Sequence, residues 1–433
     1  MKRKYKNNNY TVDITDVNNL GYGICRVDGI VIFVQGAVTL DRAEIKIIKE
    51  AKDYMVARIE KLIEPSPYRT QSDCPVSKRC GGCIYRHITY EYEASLKRSY
   101  VENAFRKAGV SATIAPLTSN GGITGYRNKV QYPVSESGTI GYYANHSHDI
   151  IECNECLLES PLIVPISAKL RGMPELLTGV KHIYIRAAEG TGEVMLCFVT
   201  KGREFANKEK LVSVMTEEFT NIRTVVQNIN PSDGNVILGR ECITLYGDGY
   251  IEDVLCGLRF RISPLSFYQV NRSMTELLYA KVKELAEPKQ GEKIVDLFCG
   301  VGTIGTAVAA DTGCDLLGVE VIPDAVENAK VNAKLNGMEN AHFVCGDAND
   351  AVPENADVII IDPPRKGCGE KLIDTLSALT PKRIVYVSCN PDTLARDLAR
   401  FEKHGYKADV AYPFDLFPRT GHVESLVLIS KLQ

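Results

Sequence analysis

One cysteine near the carboxyl end of the chain has a setting that favours covalent chemistry. Cys389 follows an apolar segment at residues 383–387, which predicts a strand, and precedes Asn390-Pro391, which predicts the start of a helix. A side chain between a strand end and a helix start lies at the sheet edge where ligands bind, and a thiolate there is a candidate nucleophile. The alternative interpretation is a buried structural cysteine.

Two carboxylates in the same part of the chain are candidates for the accompanying acid–base chemistry. Residues 362–365 read Asp-Pro-Pro-Arg, and residues 421–425 read Gly-His-Val-Glu-Ser at the start of the last predicted strand. Asp362 is a candidate contact for a methyl donor or a pyrimidine. Glu424 is the candidate general base, with His422 as the alternative. Amino-group methyltransferases carry an aromatic residue where this chain has arginine, so an exocyclic amine is not the expected target.

A glycine-rich turn precedes both motifs and predicts a nucleotide-like cofactor. Residues 296–305 read Asp-Leu-Phe-Cys-Gly-Val-Gly-Thr-Ile-Gly between a predicted strand and helix, where glycines let a ligand approach the backbone. Glu320 ends the next predicted strand, about 20 residues on, where a carboxylate can accept hydrogen bonds from ribose hydroxyls. NAD is the alternative ligand. Asp296 would repel a diphosphate but can hold the amino group of a methionine, so S-adenosylmethionine is favoured.

Together these features predict methylation at carbon 5 of a pyrimidine. Carbon 5 is not nucleophilic enough by itself, and a thiolate that adds at carbon 6 turns it into an enolate-like nucleophile. Carbon 5 then takes the methyl group from the sulfonium donor, and a base removes the carbon-5 proton so that the thiolate can leave. Cys389 and Glu424 are the candidates for these two roles.

Three regions of the 433-residue chain differ in their patterns. Residues 1–63 contain five short strand-like segments separated by turns, which indicates an oligonucleotide-binding (OB) barrel or an SH3-like module. Residues 68–262 mix strands and helices, and we expect an α+β domain of undefined topology. Residues 263–433 alternate strand and helix, which predicts a parallel sheet with helices on both faces.

A cysteine cluster lies near the start of the second region. Cys74, Cys80 and Cys83 have the spacing of metal ligands, and thiolate-only sites suit an iron–sulfur cluster or zinc. Cys153 and Cys156 are the candidates for a fourth ligand. Reduced thiols without a metal are the remaining alternative.

Composition and charge place the chain among globular proteins of a reducing compartment. Apolar residues make up 45% of the chain, the net charge is −3 and there are 14 cysteines. Its apolar runs are of strand length and no apolar stretch follows the basic N-terminus, so we expect a cytoplasmic protein with no membrane association. No obligate protein partner is evident. Local basic patches can still bind nucleic acid, and the candidates are residues 2–6, Lys97 and Arg98, Arg106 and Lys107, Arg127 and Lys129, and Arg365 and Lys366.

In this order the motifs resemble the RNA 5-methyluridine methyltransferase family over nearly the whole chain. The resemblance runs from a TRAM-like barrel and the cysteine cluster to residues 266–271 (Ser-Phe-Tyr-Gln-Val-Asn), the glycine turn, Asp-Pro-Pro-Arg, Ser-Cys-Asn-Pro and His-Val-Glu-Ser. It implies a C-terminal Rossmann-like class I methyltransferase domain, an N-terminal OB-like TRAM β-barrel and a central α+β domain with the cysteine cluster. It also implies Cys389 as nucleophile and Glu424 as base. The donor-binding positions matched by motif are Gln269, Phe298, Glu320 and Asp362.

The resemblance further implies a substrate and a second cofactor. Family members of the ribosomal-RNA type carry a [4Fe-4S] cluster, here implied to be held by Cys74, Cys80, Cys83 and Cys156, because Cys156-Leu-Leu resembles the family's pattern at the fourth ligand. The expected substrate is 23S ribosomal RNA, since the transfer-RNA enzymes of the family generally lack the cluster and the barrel. The alternatives are a transfer-RNA uridine methyltransferase, a cytosine-C5 methyltransferase and a non-catalytic RNA-binding folding factor.

Overall fold

The computed structural model describes residues 5–432, which form 23 strands and eight α-helices. Residues 1–4 and 433 lie outside the described part, and with them residues 2–4 of the first predicted basic patch. None of the helices within residues 5–432 combines the length and the apolar composition that crossing a membrane requires.

The N-terminal region is one curved sheet of six strands in the order β1-β5-β6-β4-β3-β2. Alternate residues point inwards and form a single apolar cluster that includes Ile32, Ile45 and Ala57, as expected for strands with one buried face. The sequence predicted five strands here, and the structure adds a short one, β2, next to β3. The strands are β1 (Asn9–Asp13), β2 (Asp16–Val17), β3 (Tyr22–Val27), β4 (Ile30–Gln35), β5 (Arg42–Glu50) and β6 (Tyr54–Glu64).

The central region is built on a five-stranded sheet in the order β14-β13-β12-β11-β8, with two separate hairpins, β9–β10 and β15–β16. Its elements are α1 (Tyr90–Ala108), β7 (Thr113–Ile114), β8 (Lys129–Pro133), β9 (Gly141–Tyr143), β10 (Ile150–Glu152), α2 (Val164–Arg171), β11 (Val180–Ala187), β12 (Val194–Thr200), α3 (Lys208–Glu218), β13 (Ile222–Ile229), β14 (Glu241–Tyr246), β15 (Ile251–Leu255) and β16 (Leu258–Ile262).

The C-terminal region forms an eight-stranded sheet in the order β19-β18-β17-β20-β21-β23-β22-β7, with apolar clusters on both faces. The predicted α/β fold is therefore confirmed. The elements are α4 (Arg272–Ala286), β17 (Lys293–Leu297), α5 (Thr303–Ala309), β18 (Asp315–Glu320), α6 (Pro323–Leu335), β19 (Ala341–Cys345), β20 (Val358–Ile361), α7 (Glu370–Leu379), β21 (Arg383–Ser388), α8 (Pro391–Lys403), β22 (Tyr406–Phe414) and β23 (Glu424–Lys431).

Strand direction in this sheet decides where a ligand can bind. Strands β17 to β21 are mutually parallel, and the chain runs outwards from β17 to β19 on one side and from β20 to β21 on the other. Such a reversal opens a crevice at the carboxyl ends of the central strands. The expectation of a wholly parallel sheet is wrong for its far side, where β23 is antiparallel to both β21 and β22. This direction brings the start of β23 to the edge at which β20 and β21 end.

Helix α1 and strand β7 belong spatially to the C-terminal sheet, although their sequence positions lie within residues 68–262. Strand β7 pairs with β22, and Val101, Phe105 and Ile114 are buried in the apolar cluster on one face of that sheet. The helix begins at Thr89, whose side chain accepts a hydrogen bond from the Tyr92 backbone N–H, and ends at Gly109 with a left-handed φ of 77°. The central and C-terminal regions therefore share a core.

The position of helix α1 contradicts part of one predicted basic patch, the one formed by Lys97 and Arg98. The Lys97 side chain is buried, and its Nζ lies 2.8 Å from Oε1 of Glu93 and 2.7 Å from Oδ1 of Asp415. A lysine held by two buried carboxylates is not available to a phosphate group. The prediction that Lys97 belongs to an exposed basic patch is therefore wrong, because the helical face that carries it is the one packed against the sheet.

Candidate active site

A cleft of about 830 Å³ lies at the carboxyl edge of the C-terminal sheet, between this sheet and the central region. It occupies the crevice predicted by the reversal of strand order between β17 and β20. The structure brings together in its lining all of the predicted nucleophile, base and donor-binding residues, namely Gln269, Phe298, Glu320, Asp362, Cys389 and Glu424.

Four of these residues reach the cleft because a parallel strand ends there. Phe298 follows β17, Glu320 is the last residue of β18, Asp362 follows β20 and Cys389 follows β21. The carboxyl ends of parallel strands meet at one edge of a sheet, so residues far apart in sequence become neighbours.

Cys389 and Glu424 face each other through strand pairing. Ser388, the last residue of β21, pairs with Ser425 of the antiparallel strand β23. Cys389 directly follows Ser388 and Glu424 directly precedes Ser425, so both residues lie at the same end of this strand pair. The antiparallel direction of β23 is therefore what brings a carboxylate to the cysteine.

The electrostatic environment raises the pKa values of both of these groups. Burial, with the neighbouring carboxylates of Glu424 and Asp362, raises the pKa of Cys389 to about 11, although Arg365 acts in the opposite direction. Burial and Asp362 raise the pKa of Glu424 to about 8, again opposed by Arg365. Burial also raises the pKa of Asp362, to about 7. Perturbed groups clustered in a cleft are typical of catalytic sites.

Arg365 connects the loops that carry these groups. Its Nη2 donates a hydrogen bond of 3.0 Å to the Nδ1 atom of His422, and its backbone carbonyl accepts one of 3.1 Å from Nδ2 of Asn390, next to the cysteine. Burial and the nearby cation Arg365 lower the pKa of His422 to about 4. A weakly basic imidazole that already accepts from an arginine is a poorer proton acceptor than Glu424.

The glycine-rich turn is held by two carboxylates. Glu320 accepts hydrogen bonds from the backbone N–H groups of Gly300, at 3.1 Å, and Ile322, at 2.9 Å. Oδ2 of Asp296 accepts from the backbone N–H of Gly305 at 2.8 Å. Phe298 has a φ of 63°, which is uncommon for a residue other than glycine. These hydrogen bonds hold the turn in a conformation that includes the uncommon backbone φ of Phe298.

This turn has features that fit S-adenosylmethionine. Oδ1 of Asp296 is buried and has no hydrogen-bond partner among residues 5–432, although buried carboxylate oxygens are normally satisfied. A Cβ atom at Gly300 would meet no other described atom within 4 Å, so open space adjoins the backbone beside Glu320. Glu320 lines the cleft, where its carboxylate suits ribose hydroxyls, whereas Asp296 is buried and is not among the described residues that line the cleft.

The segment that carries Gln269 is anchored from the central region. Asn128 donates from its side chain to the Gln269 carbonyl at 3.1 Å and from its backbone to the Val270 carbonyl at 2.9 Å. Asn271 is buried, caps α4 and donates to the Leu416 carbonyl at 3.1 Å. It therefore ties the end of the Gln269 segment to the loop that carries Phe417. Phe267, by contrast, lines the cleft and is 68% exposed, which leaves its ring free to stack on a ligand.

Some residues that line the cleft could not be predicted from the sequence. Tyr142 and Phe417 line the cleft, but neither lies in a motif or at a predicted strand end. Arg127 and Lys129 also line it, and the sequence had singled them out only as one basic patch among several. Asp347, which follows β19 at the same edge of the sheet, is exposed and does not line the cleft in the part of the chain that the structure describes.

The cysteines predicted as cluster ligands are neighbours in space. Burial raises the pKa of Cys80, and Cys156 and Cys74 raise it further. Burial raises the pKa of Cys156 to about 11, with a contribution from Cys83. Burial raises the pKa of Cys153 to about 11 as well, with contributions from Cys156 and Cys74, and its thiol donates to the Glu155 carbonyl at 3.2 Å.

These thiols do not converge on a single point. Within residues 5–432, no group of three or more histidine, cysteine, aspartate or glutamate side chains is arranged to hold a metal ion. The assignment of an iron–sulfur cluster to these thiols stays a prediction.

Two family profiles match the C-terminal half of the chain. One, described as tRNA (Uracil-5-)-methyltransferase, matches residues 350–432, which include the Cys389 and Glu424 segments. The other, described as methyltransferase small domain, matches residues 273–382 and includes the glycine turn.

Whole-length relatives and a solved structure agree with these matches. The chain is 38% identical to an "uncharacterized RNA methyltransferase" of Bacillus cereus, over 99% of this chain and 98% of the relative. It is 36% identical to one of Clostridium tetani, over 98% and 97%. The crystal structure of a Pyrococcus abyssi tRNA (uracil-54, C5)-methyltransferase with S-adenosyl-L-homocysteine superposes with a TM-score of 0.79 at 27% identity, covering 97% of this chain and 99% of that one.

Proposed function

This chain belongs to the RNA uracil-5-methyltransferase family and is an S-adenosylmethionine-dependent RNA methyltransferase, and on that premise we propose how it acts and on which RNA. The proposed reaction is methyl transfer to carbon 5 of uridine, with Cys389 as nucleophile and Glu424 as base. The observation that carries it is the meeting of these two residues across β21 and β23, inside the cleft at the reversal of strand order.

The donor half of the cleft is assigned to residues at the ends of β17, β18 and β20. S-adenosylmethionine, when bound, supplies an electrophilic methyl group on a sulfonium centre. We assign Glu320 to the ribose hydroxyls, Asp296 to the ammonium group, and Phe298, Gln269 and Asp362 to the remaining contacts. This assignment is supported by the unpartnered Oδ1 of Asp296 and by the open space beside Gly300.

Cys389 must lose its thiol proton to attack carbon 6 of the uracil. The neighbouring groups determine when this proton is lost and which group accepts it. Burial and, after it, the nearby carboxylates raise the pKa of Cys389 and disfavour a free thiolate, so we propose that proton loss accompanies attack. Asp362 is the proposed proton acceptor. Its pKa of about 7 means that roughly half of the protein molecules have this side chain ionised at neutral pH. Arg365 favours negative charge on the sulfur and is assigned to stabilise the transition state of addition.

Glu424 is proposed to remove the carbon-5 proton after methyl transfer. Its raised pKa, about 8, makes it a stronger base than an ordinary carboxylate, and a catalytic base works best with a pKa near the working pH. His422 is disfavoured in this role by its lowered pKa and by its contact with Arg365.

Arg127 and Lys129 are proposed to bind the RNA backbone next to the target nucleotide. Both line the cleft, and neither side chain makes an ion pair or a side-chain hydrogen bond among the described residues. Burial and the neighbouring cations Arg186 and Arg127 lower the pKa of Lys129 to about 8. Cations that repel each other in a half-buried site are relieved by an incoming phosphate group.

Ribosomal 23S RNA is the proposed substrate, and transfer RNA is the second candidate. The ribosomal assignment rests on the cysteine motif. The N-terminal sheet cannot serve as a second argument, because the transfer-RNA enzyme of Pyrococcus abyssi matches 97% of this chain. Nucleoside mass spectrometry on each RNA, prepared without the modification and treated with the enzyme and S-adenosylmethionine, decides between them. Methylation of transfer RNA alone would contradict the ribosomal assignment.

We further propose that Cys74, Cys80, Cys83 and Cys156 hold a [4Fe-4S] cluster. A cluster is wider than a single ion, so its ligands need not converge as those of zinc do. The mutual effects of the thiols on their pKa values show that these cysteines and Cys153 are neighbours, the choice of Cys156 rests on its sequence motif, and no step of the methyl transfer needs an electron. The test is the iron and acid-labile sulfide content of anaerobically purified protein. Cys83→Ser should lose both, and Cys345→Ser, which changes an exposed cysteine elsewhere, should keep them.

A further inference from the structure

Three distant segments meet beside the loop that joins β22 to β23. This loop, residues 415–423 (the joining loop), carries Phe417 and His422 into the cleft and leads directly to Glu424. The other segments are the turn at residues 18–21 between β2 and β3, and residues 84–85, which directly follow the third clustered cysteine.

Hydrogen bonds join the three segments. The backbone N–H groups of Ile84 and Tyr85 donate to the carbonyl of Arg419 in the joining loop, at 3.0 and 3.3 Å. The Tyr85 hydroxyl donates to the carbonyl of Asn18 in the turn, at 2.9 Å. Residues 84–85 therefore lie between the N-terminal sheet and the joining loop and contact both.

Two glycines show how closely these segments approach each other. A Cβ atom at Gly21 would lie 2.9 Å from Cβ of Ile84, and one at Gly421 would lie 1.9 Å from the carbonyl oxygen of Asn19. Neither position has room for a methyl group without a backbone shift. The N-terminal turn is thus packed directly against the joining loop.

The joining loop is held in its conformation from outside. Arg419 has a φ of 70°, a left-handed conformation that side-chain-bearing residues rarely adopt. Its backbone N–H donates to Oε1 of Glu93 at 2.6 Å, and its Nη1 donates to the Ile88 carbonyl at 3.2 Å. Because the loop does not favour this conformation intrinsically, it depends on its neighbours to keep it.

We propose that the turn at residues 18–21 and residues 84–85 are positioning elements of the methyl transfer, which hold the joining loop so that Glu424 faces Cys389. This extends the proposed function, since it rests on Glu424 acting as the base. It gives the N-terminal sheet a role in the chemical step, in addition to any contact that it makes with RNA.

A role of this sheet in RNA binding alone predicts a different outcome. Disturbing an RNA-binding surface weakens RNA affinity and leaves the rate at saturating RNA unchanged. Disturbing a positioning contact leaves affinity in place and lowers kcat, because misplacement of a catalytic group by about 1 Å can cost about a hundredfold in rate.

The matched pair Gly21→Ala and Gly29→Ala separates these outcomes. Both glycines lie in the N-terminal sheet with a φ of 79°, so alanine brings similar backbone strain, but a Cβ at Gly29 meets nothing within 4 Å. We expect Gly21→Ala to lower kcat by about tenfold to a hundredfold with an unchanged Kd for RNA. Gly29→Ala should keep both values. A raised Kd with an unchanged kcat in Gly21→Ala would overturn the proposal.

A second readout needs neither RNA nor methyl transfer. Since Glu424 raises the pKa of Cys389, displacement of Glu424 should speed alkylation of Cys389 by iodoacetamide at pH 9 in Gly21→Ala relative to Gly29→Ala. Equal alkylation rates would count against the proposal even if the chosen RNA were not the substrate.

Tyr85→Phe provides the milder variant if Gly21→Ala does not fold. It removes only the hydroxyl that donates to Asn18, and loss of one hydrogen bond should lower kcat by about threefold to tenfold. Thermal denaturation checks that the variant is folded. A folded Tyr85→Phe protein with wild-type kcat and wild-type alkylation of Cys389 would refute a positioning role for this contact.

Discussion

The resting protonation state of Cys389 can be tested by its alkylation rate. Iodoacetamide reacts with the thiolate, and the surroundings of Cys389 raise its pKa from 9.0 to about 11. At pH 8 a thiol of pKa 9 is about 10% ionised and one of pKa 11 about 0.1%. Cys389 should therefore react roughly a hundredfold more slowly than an ordinary thiol. Its rate should keep rising up to pH 9.5 without a plateau, by less than tenfold per pH unit where Glu424 ionises near pH 8 and by about tenfold per unit above that range.

Substitution of two charged groups near Cys389, one of each sign, should move this rate in opposite directions. Glu424→Gln removes a negative charge, lowers the pKa of Cys389 and speeds its alkylation. Arg365→Gln removes a positive charge, raises that pKa and slows the reaction. Because Glu424 itself has a pKa of about 8, wild type and Glu424→Gln should agree below pH 7 and diverge above pH 8.

The assay is mass spectrometry of the Cys389 peptide after timed labelling between pH 7 and 9.5, with the exposed Cys345 as internal reference. A plateau below pH 9 in the wild-type protein would refute the predicted effect of burial. A shift of both variants in the same direction would show that Glu424 and Arg365 do not act on the thiol through their charges.

A second use of Glu424→Gln and two further variants test other parts of the site. Glu424→Gln should accumulate a covalent protein–RNA adduct on a denaturing gel, because methyl addition can proceed while release is blocked; its absence with RNA binding intact would count against Glu424 as the base. Gly302→Ala should weaken binding of S-adenosylmethionine by about tenfold or more, because the φ of Gly302 is 81° and a Cβ there would lie 2.8 Å from an aromatic carbon of Phe343. A calorimetric titration measures this affinity. The control is Gly337→Ala, because Gly337 has a φ of 65° and a Cβ there would meet nothing within 4 Å. Lys129→Met should raise KM for RNA and reduce the slope of log Kd against log salt by about one, and an unchanged slope would show that Lys129 contacts no phosphate.

The sequence predicted the placement of the cleft residues because that placement follows from local rules. Phe298, Glu320, Asp362 and Cys389 each end an apolar segment, and the ends of parallel strands share one edge of a sheet. Neither the order of strands nor their exact pairing was needed to bring these residues together.

The features that the sequence did not predict depend on pairing between distant segments. Strand β22 was not predicted, and β23 was expected to run parallel to its neighbours, because the direction of a strand is set by its partners rather than by its own residues. Lys97 had the composition of a surface patch, and only the packing of α1 on the sheet buries it between two carboxylates. Tyr142 reaches the cleft from β9, and Phe417 reaches it from the loop between β22 and β23. The periodicity of the surrounding residues does not indicate that either side chain faces a cleft.

The carboxyls of the cleft also predict that donor binding changes the protonation of the enzyme. Burial raises the pKa values of Glu424 and Asp296 to about 8, with a further contribution from neighbouring carboxylates, and burial alone raises that of Asp362 to about 7, so at pH 7 many of these groups are protonated. A cation placed among them favours their ionised forms and lowers these pKa values. S-adenosylmethionine carries a sulfonium charge that S-adenosylhomocysteine lacks.

Binding of S-adenosylmethionine at pH 7 should therefore release more protons than binding of S-adenosylhomocysteine. Isothermal titration calorimetry in buffers of different ionisation enthalpy measures this difference, and Glu424→Gln should reduce it. Equal proton release by the two ligands would mean that the sulfonium charge does not act on these carboxyls. If the difference is found, donor binding itself converts Glu424 to the basic form that the final step requires, and the base becomes active only in a complex that can complete the reaction.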